Sequence, residues 1–243
     1  MRQRVRYIGV LTMAALGACG ISACGVLPGK TVKDDAVVSK KITAIRLDST
    51  SGGLTVHGGK GGGRVSVHRS VRYHGERPEG DTHRVEDGVL VLGGCGEDCS
   101  VDYTVEVPKG IPVSGETSSG AVDLSGVGPV KVTTSSGDID LDGVTGTVDA
   151  RTSDGRITGR GLAGKRITAQ TSNGEIDLTP ALAQNVRART SNGAITLQLP
   201  KGPYRVAAQT SNGDKHIGIA QDPAGRFQLA LTTSNGDITA KPV

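Results

Sequence analysis

Apolar and polar residues alternate along most of the chain, and the alternation is organised around a repeated tetrapeptide, Thr-Ser-x-Gly. The repeat occurs seven times, and its glycines are separated by 17, 18, 19, 19, 20 and 23 residues. These turn glycines are Gly120, Gly137, Gly155, Gly174, Gly193, Gly213 and Gly236. A period of two is typical of a strand with one buried face, and spacings near 20 residues are typical of a solenoid. We therefore predict an all-β fold, an elongated two-sheet, β-helix-like solenoid of about seven Thr-Ser-x-Gly coils after an irregular N-terminal β region.

Each coil is predicted to contain two strands, from −7 to −3 and from +1 to +4 relative to its glycine. The Ser-x-Gly between them makes the turn, where x is Ser, Asp or Asn, and Asn-Gly and Asp-Gly tolerate positive φ. Positions −7, −5, +2 and +4 are mostly Val, Ile, Leu or Ala and should fill the interior. The Thr at −3 has the same parity, so we expect a buried ladder of hydroxyl groups. Lys215 occupies one of these apolar positions, which a bulge near the end of the stack or a binding site would explain.

The N-terminal half has the same alternation without the regular repeat. Candidate strands are Ile42–Asp48, Gly53–His57, Arg64–Arg72, Gly88–Leu92 and Ser100–Val107. We divide the chain into residues 1–23, 24–38, 39–112 and 113–243, which are a signal peptide, a tether, the irregular β region and the repeat solenoid. The last two segments are predicted to form one continuous domain; the alternative is a small β cap joined to the solenoid.

Composition narrows the possible functions. The chain has 37 Gly, four Tyr, one Phe and no Trp. A binding site that stacks bases or sugars on aromatic rings is therefore disfavoured. Three of the 28 basic residues lie in the first six positions, which leaves 25 basic against 24 acidic residues in the remainder. The net charge of the whole chain therefore indicates no nucleic-acid partner.

The first residues are typical of an exported protein. A basic start is followed by a short apolar stretch and by two lipobox-like sequences, Leu-Gly-Ala-Cys19 and Ile-Ser-Ala-Cys24. By its resemblance to bacterial lipoproteins, we expect lipid attachment at Cys24, with Cys19 as the alternative site. Two acyl chains would then hold the chain to the cell membrane from the extracytoplasmic side. An ordinary secretory signal with two incidental cysteines is the other interpretation.

Two further cysteines, Cys95 and Cys99, lie close together in CGEDC. Outside the cytoplasm such a pair most often forms a disulfide, which is our prediction here. Free thiols, or a metal or redox site, are the alternatives, although no histidine lies nearby and the spacing is not CxxC.

Candidate catalytic chemistry is sparse. The positions at +1 and +3 carry charges, and Arg156 is placed between the carboxylates of both neighbouring coils. A solvated charge ladder explains this pattern, whereas a carboxylate pair for glycoside chemistry or for Ca²⁺ is the functional alternative. The five histidines lack metal-ligand spacing, and nucleotide-binding and hydrolase motifs are absent from the sequence. We predict no catalytic, metal-binding or cofactor-binding residue and no cofactor.

The repeated Thr-Ser-[Ser/Asp/Asn]-Gly-x-[Ile/Val]-x-Leu, the segment Cys99–Pro108 and the lipoprotein leader together resemble a bacterial family. This is the secreted "putative adhesin" family with β-strand repeats, a domain of unknown function, and the resemblance covers roughly residues 40–240. It implies a β-solenoid on the envelope surface and supplies no catalytic residues.

Two functions follow from this sequence. The favoured one is a lipid-anchored, non-enzymatic surface protein, an adhesin or envelope scaffold, whose partners would be the membrane through its lipid and an envelope glycan or surface protein. The alternative is a polysaccharide-active β-helix enzyme. It would need an acid/base pair in a groove built by long loops, whereas the loops between these repeats are short.

Overall fold

The computed structural model describes residues 29–59 and 63–243, and every regular element in them is a β-strand. The first part of the chain forms β1 (Lys30–Val38), β2 (Ala44–Asp48), β3 (Leu54–Gly58), β4 (Val65–Tyr73), β5 (His83–Glu86), β6 (Val89–Gly93) and β7 (Cys99–Val107). The next strands are β8 (Val113–Ser119), β9 (Val122–Ser125), β10 (Val130–Ser136), β11 (Ile139–Asp142), β12 (Val148–Arg151), β13 (Ile157–Leu162) and β14 (Arg166–Gln170). The last are β15 (Ile176–Pro180), β16 (Asn185–Arg189), β17 (Ile195–Leu199), β18 (Tyr204–Gln209), β19 (Lys215–Ile217), β20 (Phe227–Thr232) and β21 (Ile238–Pro242).

The strands form two sheets that run the length of the molecule. Sheet I has eleven strands in the order β1-β4-β7-β3-β9-β11-β13-β15-β17-β21-β19. Sheet II has ten strands in the order β18-β20-β16-β14-β12-β10-β8-β2-β6-β5. Each Thr-Ser-x-Gly coil contributes one strand to each sheet, and neighbouring coils pair in parallel. This is the predicted two-sheet β-solenoid.

The interior is filled by the apolar positions of the repeat. Ile176 is fully buried, and its register partners on the two sides are Ile157 and Ile195, as predicted. On the opposite strands small residues such as Ala169 and Ala188 are also fully buried. Aliphatic side chains from both sheets fill each level together with these alanines, which leaves little room for aromatic side chains.

Both sheets continue through the N-terminal half. The strands β2 and β3 pair in parallel with β8 and β9 of the first Thr-Ser-x-Gly coil, so the same core extends across the predicted boundary at residue 112. All five candidate strands of this half are present, with ends shifted by one or two residues. Antiparallel strands then close this end of both sheets, since β4 and β1 extend sheet I and β5 extends sheet II.

The predicted tether at residues 24–38 is wrong over its second part. Lys30–Val38 form strand β1, which pairs antiparallel with β4 along nine residues. The physical reason is an ion pair across the strands, in which Arg69 Nε lies 2.6 Å from Asp34 Oδ1 and makes an inward-facing carboxylate tolerable. The signal peptide, Cys19 and Cys24 lie outside the described residues.

The last two coils are exchanged in space relative to their order in the sequence. The strands β20 and β21 lie between coil β16/β17 and coil β18/β19, so β18 and β19 form the end of the stack. The inserted coil has apolar residues at all four interior positions, whereas the terminal coil carries Lys215 at one of them. If the coils followed their sequence order, the ammonium group of Lys215 would be buried between two coils without a partner. That cost disfavours the sequence order.

This exchange also corrects the interpretation of Lys215. Its strand pairs with β21 in regular register, with Lys215 beside Ile238 and no bulge. Lys215 is exposed because only one side of its coil is covered. A charged residue on an open edge strand also discourages pairing with another chain.

Candidate functional site

The seven turn glycines are structural. Six of them have φ between +138° and +156°, so the turn places positive φ on the glycine and not on the preceding Asn or Asp. A Cβ added to Gly193 would overlap the carbonyl oxygen of Gly174 in the neighbouring coil and lie 2.6 Å from its carbonyl carbon. The corner of the stack is therefore packed backbone against backbone, with no space for a ligand.

Six of the seven threonines of the repeat are buried as predicted and Thr210 is partly buried, but their hydroxyl groups do not bond to one another. Each donates to the carbonyl oxygen of the turn glycine in an adjacent coil, as Thr190 Oγ1 does to Gly174 at 3.0 Å and Thr233 Oγ1 to Gly193 at 3.0 Å. The same bond recurs at 2.9 Å from Thr210 to Gly236. These hydroxyls bind the coils together and are unavailable for chemistry.

A second ladder, which sequence analysis missed, runs along the outside of this corner. Asn173 Nδ2 donates to Asp154 Oδ1 at 2.7 Å, Asn192 Nδ2 to Asn173 Oδ1 at 2.8 Å, and Asn235 Nδ2 to Asn192 Oδ1 at 2.8 Å. Asn212 Nδ2 then donates to Asn235 Oδ1 at 2.9 Å. The ladder follows the coils in their spatial order and not in their sequence order. These side-chain hydrogen bonds therefore agree with the exchanged order of the last two coils in the sheets. Its signal in the sequence is Asn at position x in four successive repeats.

Cys95 and Cys99 are joined by a disulfide. The bond closes the turn between β6 and β7, at the level where neighbouring coils use a Ser-x-Gly corner. Asp98 within this turn has a positive φ of 55°. The disulfide thus replaces the glycine turn in fixing this corner of the N-terminal coil.

The tyrosine Tyr103 fixes the N-terminal end. Its hydroxyl lies 2.7 Å from the carbonyl oxygen of Thr82 and 2.8 Å from that of Gly93. Burial raises the pKa of Tyr103 to about 12, so the phenol stays neutral and acts as a hydrogen-bond donor. Beside it, a cavity of about 390 Å³ is lined by residues that include Arg69, Glu79 and Asp81. The guanidinium of Arg69 is already engaged by Asp34.

The outer face of sheet I is rich in carboxylates. Asp123 and Asp140 are register partners on adjacent strands, and Asp142 follows on the same face. Arg156 interrupts the series: its guanidinium lies 2.8 Å from Glu175 Oε2, and its backbone N–H donates to Asp138 Oδ1 at 2.7 Å. The predicted placement of Arg156 between acidic residues of both neighbours is therefore observed, although one contact uses the backbone.

The outer face of sheet II has the opposite charge over its strands β10, β12, β14, β16 and β18. Six basic side chains project from these five strands and are all exposed. We call this set the basic face: Lys131, Arg151, Arg166, Arg187, Arg189 and Arg205. The single carboxylate within these strands and β20 is Asp149, whose Oδ1 lies 3.1 Å from Arg151 Nε. Among the ion pairs of residues 29–59 and 63–243, none involves the other five.

The basic face is arranged in straight rows along the stack. The register aligns Arg151 with Gln170 and Gln170 with Arg189 on successive strands. A shallow cavity of about 420 Å³ on this face is lined by Arg151, Arg166 and Arg187, with polar residues between them. A second one, of about 340 Å³, is lined by Arg151, Arg189 and hydroxyl side chains. The face can bind anionic groups at several successive levels.

The basic face was not predicted, because only the charges at +1 and +3 were interpreted. The arginines lie at −8, −6 and −4, the outward positions of the other strand. Counting charges separately for the two strands of the repeat would have revealed the difference between the faces.

Among the residues that the structure describes, no helix is long and apolar enough to cross a membrane. In residues 29–59 and 63–243 no group of three or more His, Cys, Asp or Glu side chains could hold a metal ion.

Comparison with known families agrees with the repeat architecture. The profile of the Toastrack DUF4097 family matches residues 100–241, more than half of the chain. The chain belongs to the Toastrack family. This match confirms the family-level resemblance and the solenoid-like all-β fold of the Toastrack chain. No curated protein sequence matches the Toastrack chain.

Several solved structures are similar to the Toastrack chain over 88% of its length. A "putative cell adhesion protein" from Clostridium sporogenes is 14% identical, is covered over 100% of its own chain and has a TM-score of 0.37. A "putative adhesin" from Bacteroides fragilis is 13% identical, with 97% of its chain covered and a TM-score of 0.43. One from Parabacteroides distasonis is 11% identical, with 98% covered and a TM-score of 0.44.

Proposed function

We propose that this Toastrack protein is a non-enzymatic binding module of the bacterial cell surface, anchored by a lipid on Cys24. The observation that carries the proposal is the basic face, on which five of six cationic side chains lack an ion-pair partner among the described residues. Exposed charge on a flat sheet can bind a partner without a cleft. An adhesin or an envelope scaffold can use this kind of surface.

The arrangement of the carboxylates supports a non-enzymatic role. A glycoside hydrolase needs one carboxylic acid and one carboxylate on opposite sides of a bound sugar. On sheet I the acidic residues instead lie side by side on one flat face, and Glu175 is paired with Arg156. The loops between these repeats are short, so they build no wall around a substrate.

The proposed anchor places the N-terminal end of the stack near the membrane. Six residue steps separate Cys24 from Lys30, the first residue of β1, and they span about 20 Å at most. Because β1 is the terminal strand of sheet I, the repeats extend away from that end. Eleven strands at about 4.8 Å each give a stack about 50 Å long. The basic face would then be presented to the envelope beyond the lipid surface.

The test combines binding with turnover. The full chain, purified in detergent, is screened against envelope glycans and surface proteins, and the same glycans are analysed for cleavage. We expect binding without cleavage, and intact mass spectrometry should show an acylated Cys24. Cleavage that disappears in Glu79→Gln or Asp81→Asn, the acidic residues of the N-terminal cavity, would instead establish the enzyme. Acylation at Cys19, or an unmodified N-terminus, would contradict the assigned anchor.

A further inference from the structure

We infer that the basic face binds a linear anionic polysaccharide that lies along the stack axis, with its carboxylate or phosphate groups on successive arginines. This inference rests on the proposed binding function and specifies the class of its partner. It concerns the face as a whole, from Lys131 on β10 to Arg205 on β18.

The first support is the uncompensated charge. Arg187 and Arg189 lie on one strand and one face, so their Cα atoms are about 7 Å apart. Arg189 and Arg151 lie in one row two strands apart, at about 10 Å. Like charges at these separations repel one another, and no carboxylate of the described chain forms an ion pair with Arg187 or Arg189. An anionic ligand removes this repulsion. The arginines therefore favour binding of an anion and do not stabilise the fold.

The second support is the polar surface between the arginines. In the row of Arg151 and Arg189 the intervening position is Gln170, and Thr133 and Thr232 lie at either side. Amide and hydroxyl groups of this kind hydrogen-bond to sugar hydroxyls. The side chains that line the two shallow cavities on this face provide both kinds of contact. Charge supplies the affinity because no aromatic side chain lines either of these shallow cavities for stacking on a sugar ring.

The third support is geometry. Side chains at equivalent positions of parallel strands form straight rows with a spacing of about 4.8 Å. A ligand that presents charge repeatedly along one line can contact several levels at once, and each additional contact is intramolecular. A small anion can occupy only one level. The rows therefore favour a polymer over a monovalent anion.

The charge on the outer face of sheet I explains why a polyanion would bind only to sheet II. Sheet I presents Asp123, Asp140 and Asp142 outward and repels a polyanion. It also offers a matched control, because Arg156 and Arg160 on that face can be neutralised with the same change in net charge.

The experiment measures binding of the full chain in detergent to three probes: polygalacturonate, phosphorylated dextran and neutral dextran. Arg187→Gln/Arg189→Gln is compared with Arg156→Gln/Arg160→Gln. We expect both charged probes to bind and neutral dextran not to bind. The basic-face variant should lose about tenfold in affinity at low salt. The slope of log K against log salt should become shallower by about one to two, because two counterion-releasing contacts are removed. The control variant should keep the slope of the original protein.

The relative affinity of polygalacturonate and phosphorylated dextran identifies which anion the face prefers, and either preference supports the inference. Equal losses in the two variants would show a general charge effect and overturn it. Binding of neutral dextran that is insensitive to salt would keep the binding module but overturn the anionic partner. Sedimentation velocity provides the remaining arm: if the basic-face variant abolishes self-association of the protein instead of polymer binding, the face is an interface between copies and the inference fails.

Discussion

The turn glycines give the most direct test of how the coils are held together. Gly193 has a φ of +149°, and its N–H donates to the carbonyl oxygen of Asn235 at 2.9 Å. Its own carbonyl oxygen accepts from Thr233 Oγ1 at 3.0 Å. The substitution Gly193→Ala therefore acts on both neighbouring coils at once: its methyl group meets Gly174 on one side, while the two hydrogen bonds are made on the other.

The loss of stability expected for Gly193→Ala has two separate contributions. A positive φ of this kind costs a non-glycine residue about 1–3 kcal/mol. The new Cβ would also lie 2.6 Å from the Gly174 carbonyl carbon, against 3.4 Å or more for ordinary contact. The atoms it meets are backbone, so relief requires the coils to separate and weakens their hydrogen bonds. We expect a total loss of about 4 kcal/mol, which for a chain of this size lowers Tm by about 8–16 °C.

The matched control separates strain from packing. Gly110 also has a positive φ, of 81°, but a Cβ there would meet no atom within 4 Å. Gly110→Ala should therefore show only the conformational cost, about 1–2 kcal/mol. Thermal unfolding of both variants is followed by circular dichroism, with urea denaturation as a second measurement. If the two substitutions lower stability equally, close packing between glycine turns does not hold the stack together.

Three other predictions test the core, the N-terminal end and the order of the coils. Ile176→Asp buries an unpaired carboxylate between two coils and should cost several kcal/mol, whereas the adjacent, partly exposed Asp177→Asn should change stability by about 0.5 kcal/mol or less in the same melts. The pKa of Tyr103 is about 12 in the fold against 10.0 for an ordinary tyrosine, so its contribution is present below pH 10 and is lost as pH rises towards 12; that loss should be absent from the stability–pH curve of Tyr103→Phe. Arg187 and Ala230 are register partners, so Arg187→Cys/Ala230→Cys should cross-link on oxidation, and Arg187→Cys/Ala207→Cys should not. Cross-linking of the second pair alone would mean that the coils follow sequence order.

The regular part of the fold could be predicted because its signal is local and repeated. Each coil carries the same apolar positions around its glycine, and seven copies fix the register even where one copy departs from it. The Cys95–Cys99 pair is also local, since four residues separate the two cysteines and a turn brings them together. The burial of Ile176 followed from the same repeat.

What could not be predicted depends on contacts between distant residues. The sequence of β1 has a polar pattern because Asp34 occupies an inward position. The segment forms a strand only when Arg69, 35 residues away, neutralises that carboxylate. The exchange of the last two coils likewise reflects which coil can be covered on both sides. Its signals in the sequence were the longer spacing of 23 residues and the charge at Lys215. The spacing was not interpreted, and the charge was attributed to a bulge or a binding site.

The basic face was not predicted for a different reason: acidic and basic residues cancel in the net charge of the whole chain. A solenoid separates its two outer faces completely, because one strand of every coil faces each side. Its interior is held by glycine turns, threonine hydroxyls and small apolar residues, so the outward positions can change without altering the fold. Sheet I and sheet II have thus acquired opposite charge on one common scaffold, with Asp123 and Asp140 on one side and Arg187 and Arg189 on the other. For a repeat protein of this kind, the relevant charge is the charge of each face, and on that measure the chain is strongly polarised although its total is nearly balanced.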